Sequence, residues 1–415
     1  MEFDTIVIGS GPAGLAAALA SSLRGKRTLI LEKLERPGMK LLASGGSRCN
    51  VSNTLELEEF AMRFGRSWRF LLPALSRFHG ETLRSFFSEY GVPLELTDGF
   101  HYFPASGKAR DILELFLREI TRAGGKILCN QKVTSITPGT SFSLRTASGI
   151  FTASSVICAC GGRGYPALGG SGAGYKLAEE LGHEITPLFP AMTGVVCADE
   201  NVGKCAGISL PDCAAKVVAK GRNNLSARGE LLFTHRGFSA FAILDLAGGI
   251  GKLLEKSPSV MLMLDLLPDL SDEELLEKFT HWRTVAGTKR VSSCLAEFFP
   301  KKLAQLLLNG DDPEISRWKK DAIAALLNRI KRGQWEICGV ESWEKAMVTE
   351  GGVSLKKIDP ETLSSRLHPG LFFAGEMLDV TGPCGGFNIS WALASGMLAG
   401  SCAACRELLP AGADI

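Results

Sequence analysis

The first fourteen residues constrain the fold more than any other part of the chain. Phe3 to Ile8 is an apolar run typical of a buried strand, and it leads into a Gly-x-Gly-x-x-Gly turn and an Ala/Leu-rich helix. In such a turn Gly9 permits the tight bend, Gly11 lets backbone N–H groups approach a pyrophosphate, and Gly14 lets helix and strand pack closely. Strand, turn and helix together predict a Rossmann-like dinucleotide-binding unit.

The segments that follow support this prediction. A second strand, Thr28 to Leu31, ends in Glu32, at about the 20-residue distance where an acid accepts hydrogen bonds from ribose hydroxyls. The first half then alternates strands and helices, which predicts an α/β fold with a mainly parallel sheet. We expect strands near 3–9, 28–32, 126–129, 132–137, 142–147 and 155–160, a hairpin arm over 140–151 that turns at Ser148-Gly149, and a helix over 173–182.

Composition limits the class of partner. The chain has 415 residues and a formal net charge of +2, so no strong field attracts nucleic acid or an anionic membrane. A small-molecule substrate is expected instead. The first strand begins within three residues of the N-terminus, which leaves no room for a signal segment and predicts a cytoplasmic protein. The uncharged stretch from Phe387 to Cys405 contains polar and glycine breaks, and we expect a buried helix rather than a membrane span.

The twelve cysteines do not form a metal or disulfide pattern. Cys158-x-Cys160 lies in a predicted buried strand, and Cys402-x-x-Cys405 has no second pair or histidine cluster beside it. We therefore expect reduced thiols and no metal site.

The middle of the chain differs in pattern from both ends. Short strands and turns over about 191–268, including strands over 214–219, 229–233 and 260–264, predict a small antiparallel barrel or sheet. The stretch over about 269–345 has a helical pattern, which begins at the capping box Ser271 to Glu274. At Gly370 to Gly375 the pattern of a buried parallel strand returns and leads into a long final helix. The sequence thus predicts a bipartite domain, 1–190 and 346–415, with an insert domain over 191–345.

Two further segments point towards the cofactor. Gly38 to Asn50 combines flexible glycines with Lys40, Arg48 and Asn50, whose polar groups suit a phosphate or a developing negative charge. The alternative is a basic surface loop. In Gly375 to Asn388, either Glu376 or Asp379 is placed to hold a ribityl chain, and a helix starting at Gly386 aims its positive end at a flavin ring. The alternative is a capped helix that uses the acid.

The sequence leaves the proton donor open. His235 lies in a loop after the strand Leu231 to Phe233, where it contacts substrate or is an ordinary surface histidine. His101 and Cys384 are the other candidates, and nothing beside Cys384 lowers the pKa of a thiol.

Four blocks together resemble one family over nearly the whole chain. They read VIGSGPAGLAAALA, MKLLASGGSRCNVSN, LLFTHRGFSA, and VTEGGVSLKKIDPETL followed by GLFFAGEMLDVTGPCGGFNISWALASG. They are similar to the BaiN/YhiN-like family of NAD(P)/FAD-dependent oxidoreductases. The resemblance implies a bipartite FAD domain interrupted by an insert of barrel and helices.

The resemblance also implies the cofactor contacts and the activity. Together with Gly9, Gly11 and Gly161, the expected FAD-binding residues are Ala13, Gly14, Glu32, Lys33, Lys40, Arg48, Cys49, Asn50, Val133, Glu376, Asp379, Gly386, Phe387, Asn388 and Ile389. Family members act as reductases of conjugated 3-oxo bile-acid dienones or as oxidases of small amino-ketones. The leading expectation is a non-covalent FAD enzyme that reduces an enone-like substrate through flavin N5, with NAD(P)H as transient electron donor. An oxygen-using amine oxidase and a non-catalytic redox sensor or scaffold are the alternatives. The oligomeric state is not specified.

Overall fold

A computed structural model, which describes residues 2–218 and 225–405, divides the chain into two compact units. The first comprises Met1–Leu188 and Val348–Ile415, and the second comprises Phe189–Met347. Their hydrophobic cores share no residue. Within the first unit the chain leaves and returns at neighbouring points, because the Thr186 N–H donates to the Gly352 carbonyl at 2.9 Å. The second unit is therefore an insertion into the sequence of the first.

Strands and helices are numbered along the whole chain. The strands of the first unit are β1 (Glu2–Ile8), β2 (Thr28–Leu31), β3 (Ser52–Asn53), β4 (Leu94–Leu96), β5 (His101–Pro104), β6 (Lys126–Leu128), β7 (Ser135–Thr137), β8 (Phe142–Thr146), β9 (Gly149–Cys158), β17 (Val348–Glu350) and β18 (Leu371–Phe373). Its α-helices are α1 (Pro12–Ser22), α2 (Met39–Ala43), α3 (Leu57–Met62), α4 (Trp68–Leu75), α5 (Gly80–Glu89), α6 (Ala109–Arg122), α7 (Ala173–Glu180) and α13 (Phe387–Cys405).

The second unit holds the remaining elements. Its strands are β10 (Phe189–Ala191), β11 (Val195–Cys197), β12 (Ser209–Val218), β13 (Ser226–Phe233), β14 (Gly237–Ser239), β15 (Val260–Asp265) and β16 (Gly333–Val340). Its α-helices are α8 (Phe241–Leu254), α9 (Asp272–Val285), α10 (Val291–Leu295), α11 (Lys301–Leu308) and α12 (Lys320–Arg332).

The main sheet of the first unit brings the ends of distant strands to one edge. Its order is β6-β2-β1-β9-β8-β7, and β18 pairs with the second half of β9. The strands β6, β2, β1, β9 and β18 run parallel. Ile8 is in register with both Leu31 and Cys158, and Phe373 is in register with Cys158. The segments that follow these strands therefore emerge side by side, where open α/β sheets bind ligands.

The hairpin arm of this sheet lies one residue earlier than predicted. β8 and β9 are antiparallel and Thr146 pairs with Gly149, so the turn is Ala147-Ser148 rather than Ser148-Gly149. Gly149 has φ +129° and opens the strand instead of sitting within the turn. The pattern located the hairpin, but the pairing register fixed its tip.

Two glycines allow α13 to pack directly against α1. A Cβ added at Gly396 would overlap the Ala13 carbonyl oxygen, and one added at Gly400 would overlap the Ala17 carbonyl oxygen. Because residues four apart lie on one helix face, the pair forms a flat strip that lets the two backbones approach. This contact holds the second half of α13 against α1.

A single methyl group should disrupt that packing. We expect Gly400→Ala to lower the free energy of unfolding by about 1–3 kcal/mol, because the overlap with Ala17 outweighs the gain in helix propensity. Gly251→Ala in α8 is the matched control, since its Cβ would make ordinary contacts of 3.4 Å with Phe189. Urea denaturation followed by circular dichroism measures both. Equal stability of the two variants would contradict the packing argument.

The second unit contains the expected barrel. However, one segment predicted to be helical is a strand, and the stretch predicted to be β-rich contains a helix. Six strands close in the order β11-β14-β13-β12-β15-β16. Residues 333–340 were predicted helical but form β16, where Trp335 and Ile337 alternate with exposed Gln334 and Glu336. That period of two was readable, and pairing with β11 and β15 makes the segment a strand. Conversely, α8 lies inside the stretch predicted to be β-rich.

The apolar residues of α8 recur with the period of a helix, which contradicts the β-rich prediction for this stretch. Ala242, Ile243, Leu246, Ala247 and Ile250 are buried, a spacing that places them on one face of a helix. The predicted strand 214–219 falls within β12 up to Val218, and Ala219 lies outside the described residues. The predicted capping box is confirmed: the Ser271 hydroxyl accepts from the Glu274 N–H, and the Glu274 carboxylate accepts from the Ser271 N–H. With these corrections the predicted fold class, a Rossmann-like domain with an inserted barrel and helices, is confirmed.

A buried histidine should make the first unit sensitive to acid. His183 is 3% exposed, and its Nε2 lies 2.9 Å from the Ser365 hydroxyl. Burial, together with nearby His368, lowers the pKa of His183 to about 4. The unfolded chain binds this proton below about pH 6.5 and the folded chain does not, so stability is lost as pH falls from about 6.5 towards 4, by roughly 3 kcal/mol at most. We expect His183→Gln, which can keep the bond to Ser365, to show a flatter stability profile over this range in urea titrations. An unchanged profile would contradict the assignment.

Candidate active site

The turn after β1 is shaped for a phosphate group. Gly9 has φ +100°, and a Cβ added at Gly14 would overlap the Gly9 carbonyl oxygen. Gly11 has φ −70° and ψ −179° and precedes Pro12, the first residue of α1. A Cβ at Gly11 would meet no protein atom within 4 Å. The N-terminus of α1 therefore opens onto free space, as a pyrophosphate site requires.

Glu32 is tied into this turn by a residue that the motif does not specify. Its buried carboxylate accepts from the Ser10 N–H at 2.9 Å, the Ser10 hydroxyl at 2.5 Å and the Leu34 N–H at 2.8 Å. The Ser10 hydroxyl accepts from the Gly38 N–H at 3.3 Å. Ser10 thus links the glycine turn to the segment that begins at Gly38. Because Ser10 occupies the unspecified position between Gly9 and Gly11, the motif does not indicate this role.

An ion pair joins the two parts of the bipartite unit. Lys40 Nζ lies 2.7 Å from a carboxylate oxygen of Glu376, and the other oxygen accepts from the Thr349 N–H at 2.9 Å. The Thr349 hydroxyl accepts from the Arg163 N–H at 2.7 Å. A Cβ at Gly162 would overlap both Glu376 and Thr349, so that glycine is needed for the pairing. Sequence reasoning named Lys40 and Glu376 separately and did not identify Thr349.

A second link connects the loop after α2 to the start of α13. The Asn50 side-chain amide donates to the Ser52 carbonyl at 3.0 Å and accepts from the Gly386 N–H at 3.2 Å. Asn388 accepts from the Gly382 N–H at 2.9 Å and donates to the Gly382 carbonyl at 2.8 Å. Gly386 has φ +85°, and any side chain there would press on Asn50 and Ser52. These bonds fix the loop directly before the helix N-terminus.

The other predicted cofactor residues lie in the same unit, in varied surroundings. The Lys33 ammonium donates to the Ser171 hydroxyl at 2.6 Å, and burial lowers its pKa. Burial raises the pKa of the Cys49 thiol to about 11, so that thiol stays protonated. The Gln131 N–H donates to the Glu32 carbonyl at 2.8 Å, which brings the segment holding Val133 beside Glu32. Ala13 lies in the first turn of α1, Gly161 follows β9, Asp379 follows β18, and Phe387 and Ile389 lie in the first turn of α13.

His101, one of the three proton-donor candidates, is paired with Asp98. Its Nδ1 lies 2.6 Å from an Asp98 carboxylate oxygen, whose second oxygen accepts from the Phe100 and His101 N–H groups at 3.1 and 2.8 Å. These bonds, led by that of the His101 ring, lower the pKa of Asp98 to about 2. Cys384 lies half-buried in the loop before α13. His235 is exposed between β13 and β14 of the second unit.

Two absences concern residues 2–218 and 225–405, the part of the chain that the structure describes. No helix in this part of the chain is long and apolar enough to cross a membrane. No three histidine, cysteine or acidic side chains there are grouped so that they could hold a metal ion.

Comparison with known proteins places this chain in a family. The family model described as "HI0933-like protein Rossmann domain" matches residues 3–402. The chain is 33% identical to the 3-dehydro-bile acid delta(4,6)-reductase of Clostridium scindens, over 96% of this chain and 98% of that protein. It is 30% identical to the ribosomal RNA dihydrouridine synthase of Escherichia coli, over 95% of this chain and 96% of that protein.

Solved structures share the fold at low identity. A flavocytochrome c3 fumarate reductase has a TM-score of 0.52 and 17% identity over 97% of this chain and 78% of its own. The 3-ketosteroid-Δ4-(5α)-dehydrogenase of Rhodococcus jostii has a TM-score of 0.51 and 13% identity over 98% of this chain and 97% of its own. From the family match and the full-length relatives, this chain belongs to the HI0933-like Rossmann family and is an FAD-dependent oxidoreductase.

Proposed function

We propose that this enzyme reduces a carbon–carbon double bond conjugated with a carbonyl group in a small organic molecule, with NADH or NADPH as electron donor. One observation carries the proposal: full-length relatives with different substrates are named for one type of reaction. A 3-dehydro-bile acid delta(4,6)-reductase acts on double bonds of a 3-oxo compound. Dihydrouridine is uridine whose ring double bond, conjugated with a carbonyl, has been reduced. The leading expectation from the sequence is the same class of reaction.

The residues of the first unit fit an FAD molecule bound along the carboxyl edge of the sheet. In this proposal Gly9, Gly11 and Gly14 admit the pyrophosphate, and Glu32 holds the ribose. The flavin end is held by residues that the structure already links in pairs: Lys40 with Glu376, and Asn50 with Gly386. Bound FAD supplies hydride transfer. The N-terminus of α13 favours negative charge beside it by about 0.3–1 kcal/mol, which helps the reduced cofactor to form.

The remaining expected FAD neighbours stay part of the proposal. They are Ala13, Lys33, Arg48, Cys49, Val133, Gly161, Asp379, Phe387, Asn388 and Ile389. Asp379 and Glu376 compete for the ribityl chain. Glu376 is held in place by its bonds to Lys40 and to the Thr349 N–H.

A uracil base in ribosomal RNA is the second candidate substrate. Relatives from Escherichia coli and Haemophilus influenzae, each 30% identical over at least 94% of this chain, are named for that reaction. The formal net charge of +2 supplies no strong attraction for RNA, which is why a small molecule is preferred. Both candidate reactions reduce a double bond conjugated with a carbonyl group. They differ in the substrate, which is a small molecule in one case and a base of ribosomal RNA in the other.

Anaerobic mixing tests the function. We expect NADH or NADPH to bleach the flavin absorbance, and 2-methyl-2-cyclohexen-1-one or 4-androstene-3,17-dione to restore it faster than air does. If the reduced enzyme is reoxidised by uridine-containing ribosomal RNA and by neither ketone, the RNA candidate is correct. Bleaching by an amino-ketone, with peroxide formed on aeration, would establish the oxidase alternative. If only dithionite reduces the flavin, the proposed enzyme activity is wrong and the protein is a non-catalytic redox sensor or scaffold.

A further inference from the structure

The Asp98–His101 pair is built so that the imidazole has one fixed orientation. Asp98 and His101 are joined at 2.6 Å, and the backbone N–H groups of Phe100 and His101 hold the carboxylate from its other oxygen. The pKa of Asp98 is lowered to about 2, so this carboxylate is ionised and can only accept. His101 Nδ1 must therefore carry the hydrogen, which leaves Nε2 as the atom available for proton transfer.

Nε2 faces the loop that precedes α13. A Cβ added at Gly385 would lie 3.2 Å from His101 Nε2, and Gly385 has φ +115°, where a side chain is strained in any case. The Asn53 amide donates to the Gly385 carbonyl at 2.8 Å, and Asn53 pairs with His101 across β3 and β5. The position of His101 relative to this loop is thus fixed through the backbone of two strands.

The two faces of β5 differ in chemistry. On the face of His101, the Arg48 guanidinium lies 4.7 Å from the centre of the Phe103 ring, and the rings of His101 and Phe103 are 6.4 Å apart. On the opposite face the Tyr102 hydroxyl accepts from Arg84 at 2.6 Å. The His101 side chain is 24% exposed. One face of β5 therefore gathers an accessible imidazole, a cation and the glycine loop proposed to border the flavin.

We infer that His101 is the proton donor of the reaction and that Asp98 is its positioning residue, an inference that rests on the proposed function. The β-carbon of the substrate takes the hydride that bound, reduced FAD would supply, and the electrons of the double bond move onto the carbonyl oxygen as an enolate. The α-carbon of the enolate then takes the proton that the imidazolium form of His101 carries on Nε2, and the electrons of that N–H bond stay on the ring, which becomes the neutral imidazole with its hydrogen on Nδ1. Water reprotonates His101 through its exposed edge. The net change is addition of one hydride and one proton to the double bond.

Stopped-flow mixing of pre-reduced holoenzyme with 2-methyl-2-cyclohexen-1-one tests the role of His101. We expect His101→Gln to keep its FAD and its rate of reduction, and to slow reoxidation by the ketone by roughly 10²–10⁴-fold. Imidazole added to His101→Gly should restore reoxidation, which no structural defect would allow. Protonation of this ketone creates a stereocentre, so we expect one enantiomer from the wild type and a mixture from His101→Gln. Tyr102→Phe, altered on the opposite face of β5, is the matched control and should behave as wild type.

The role of Asp98 has a readout that does not depend on activity. The 2.6 Å bond predicts a strongly downfield Nδ1 proton in the NMR spectrum of the oxidised holoenzyme, assigned by its loss in His101→Gln. Asp98→Asn should abolish this resonance and slow reoxidation about tenfold or more. If the wild type is reoxidised and His101→Gln is equally fast and equally stereoselective, the inference fails and the proposed function stands. If no conjugated ketone reoxidises the wild type, the proposed function fails and the inference with it.

Discussion

Gly11→Val is expected to yield a folded protein that has lost its FAD. Gly11 has φ −70° and ψ −179°, a backbone conformation that valine adopts readily, and its Cβ would meet no protein atom within 4 Å. The branched side chain would instead fill the space proposed for the pyrophosphate. We expect the affinity for FAD to fall by roughly 100-fold or more, about 3 kcal/mol, measured by flavin fluorescence titration of the apoprotein.

Two matched variants separate loss of cofactor from loss of fold. Gly11→Ala, with a single methyl group in the same space, should bind FAD with an intermediate affinity. In Gly14→Ala the added Cβ would overlap the Gly9 carbonyl oxygen, so this variant should lose thermal stability as well as cofactor. A Gly11→Val protein that keeps a full complement of FAD would show that the pyrophosphate lies elsewhere.

Ending the chain after Met347 is expected to abolish flavin binding altogether. The truncation removes β18, which pairs with β9 inside the main sheet, and α13, whose Gly396 and Gly400 lie against the backbone of α1. It also removes Glu376, the partner of Lys40. The buried faces of α1 and β9 would be exposed to water, and we expect a poorly folded, colourless product by absorbance and circular dichroism.

The reverse deletion is the control. Because Thr186 and Gly352 are hydrogen bonded to each other, residues 189–347 can be replaced by a flexible linker of about ten residues without stretching the first unit. We expect this shortened chain to bind FAD, and the separate segment 189–347 to unfold cooperatively in urea, since each unit has its own core. Flavin retained by the chain ending at Met347, or lost from the shortened chain, would contradict this arrangement.

Features that depend on neighbouring residues were readable from the sequence. The glycine turn over 9–14 and the capping box of Ser271 and Glu274 each involve bonds within a few residues, and the structure contains both. The alternation of Trp335 and Ile337 with polar residues is equally local and indicates a strand, in contrast to the helix predicted for this stretch. The errors at α8 and β16 therefore came from the choice between periods of 3.6 and 2, which short apolar runs do not settle.

Partners that lie far apart in the sequence were decided by the tertiary structure alone. The amino-acid sequence alone predicts the kind of fold, the dinucleotide turn and the family. It also indicates, one by one, Lys40, Glu376, Asn50, Gly386 and His101. Only the strand order brought Lys40 to Glu376, Asn50 to Gly386, and His101 to Gly385. The physical reason is that a turn or a cap follows from the dihedral angles of adjacent residues. A contact across some 330 positions exists only when a sheet aligns the ends of its strands at one edge.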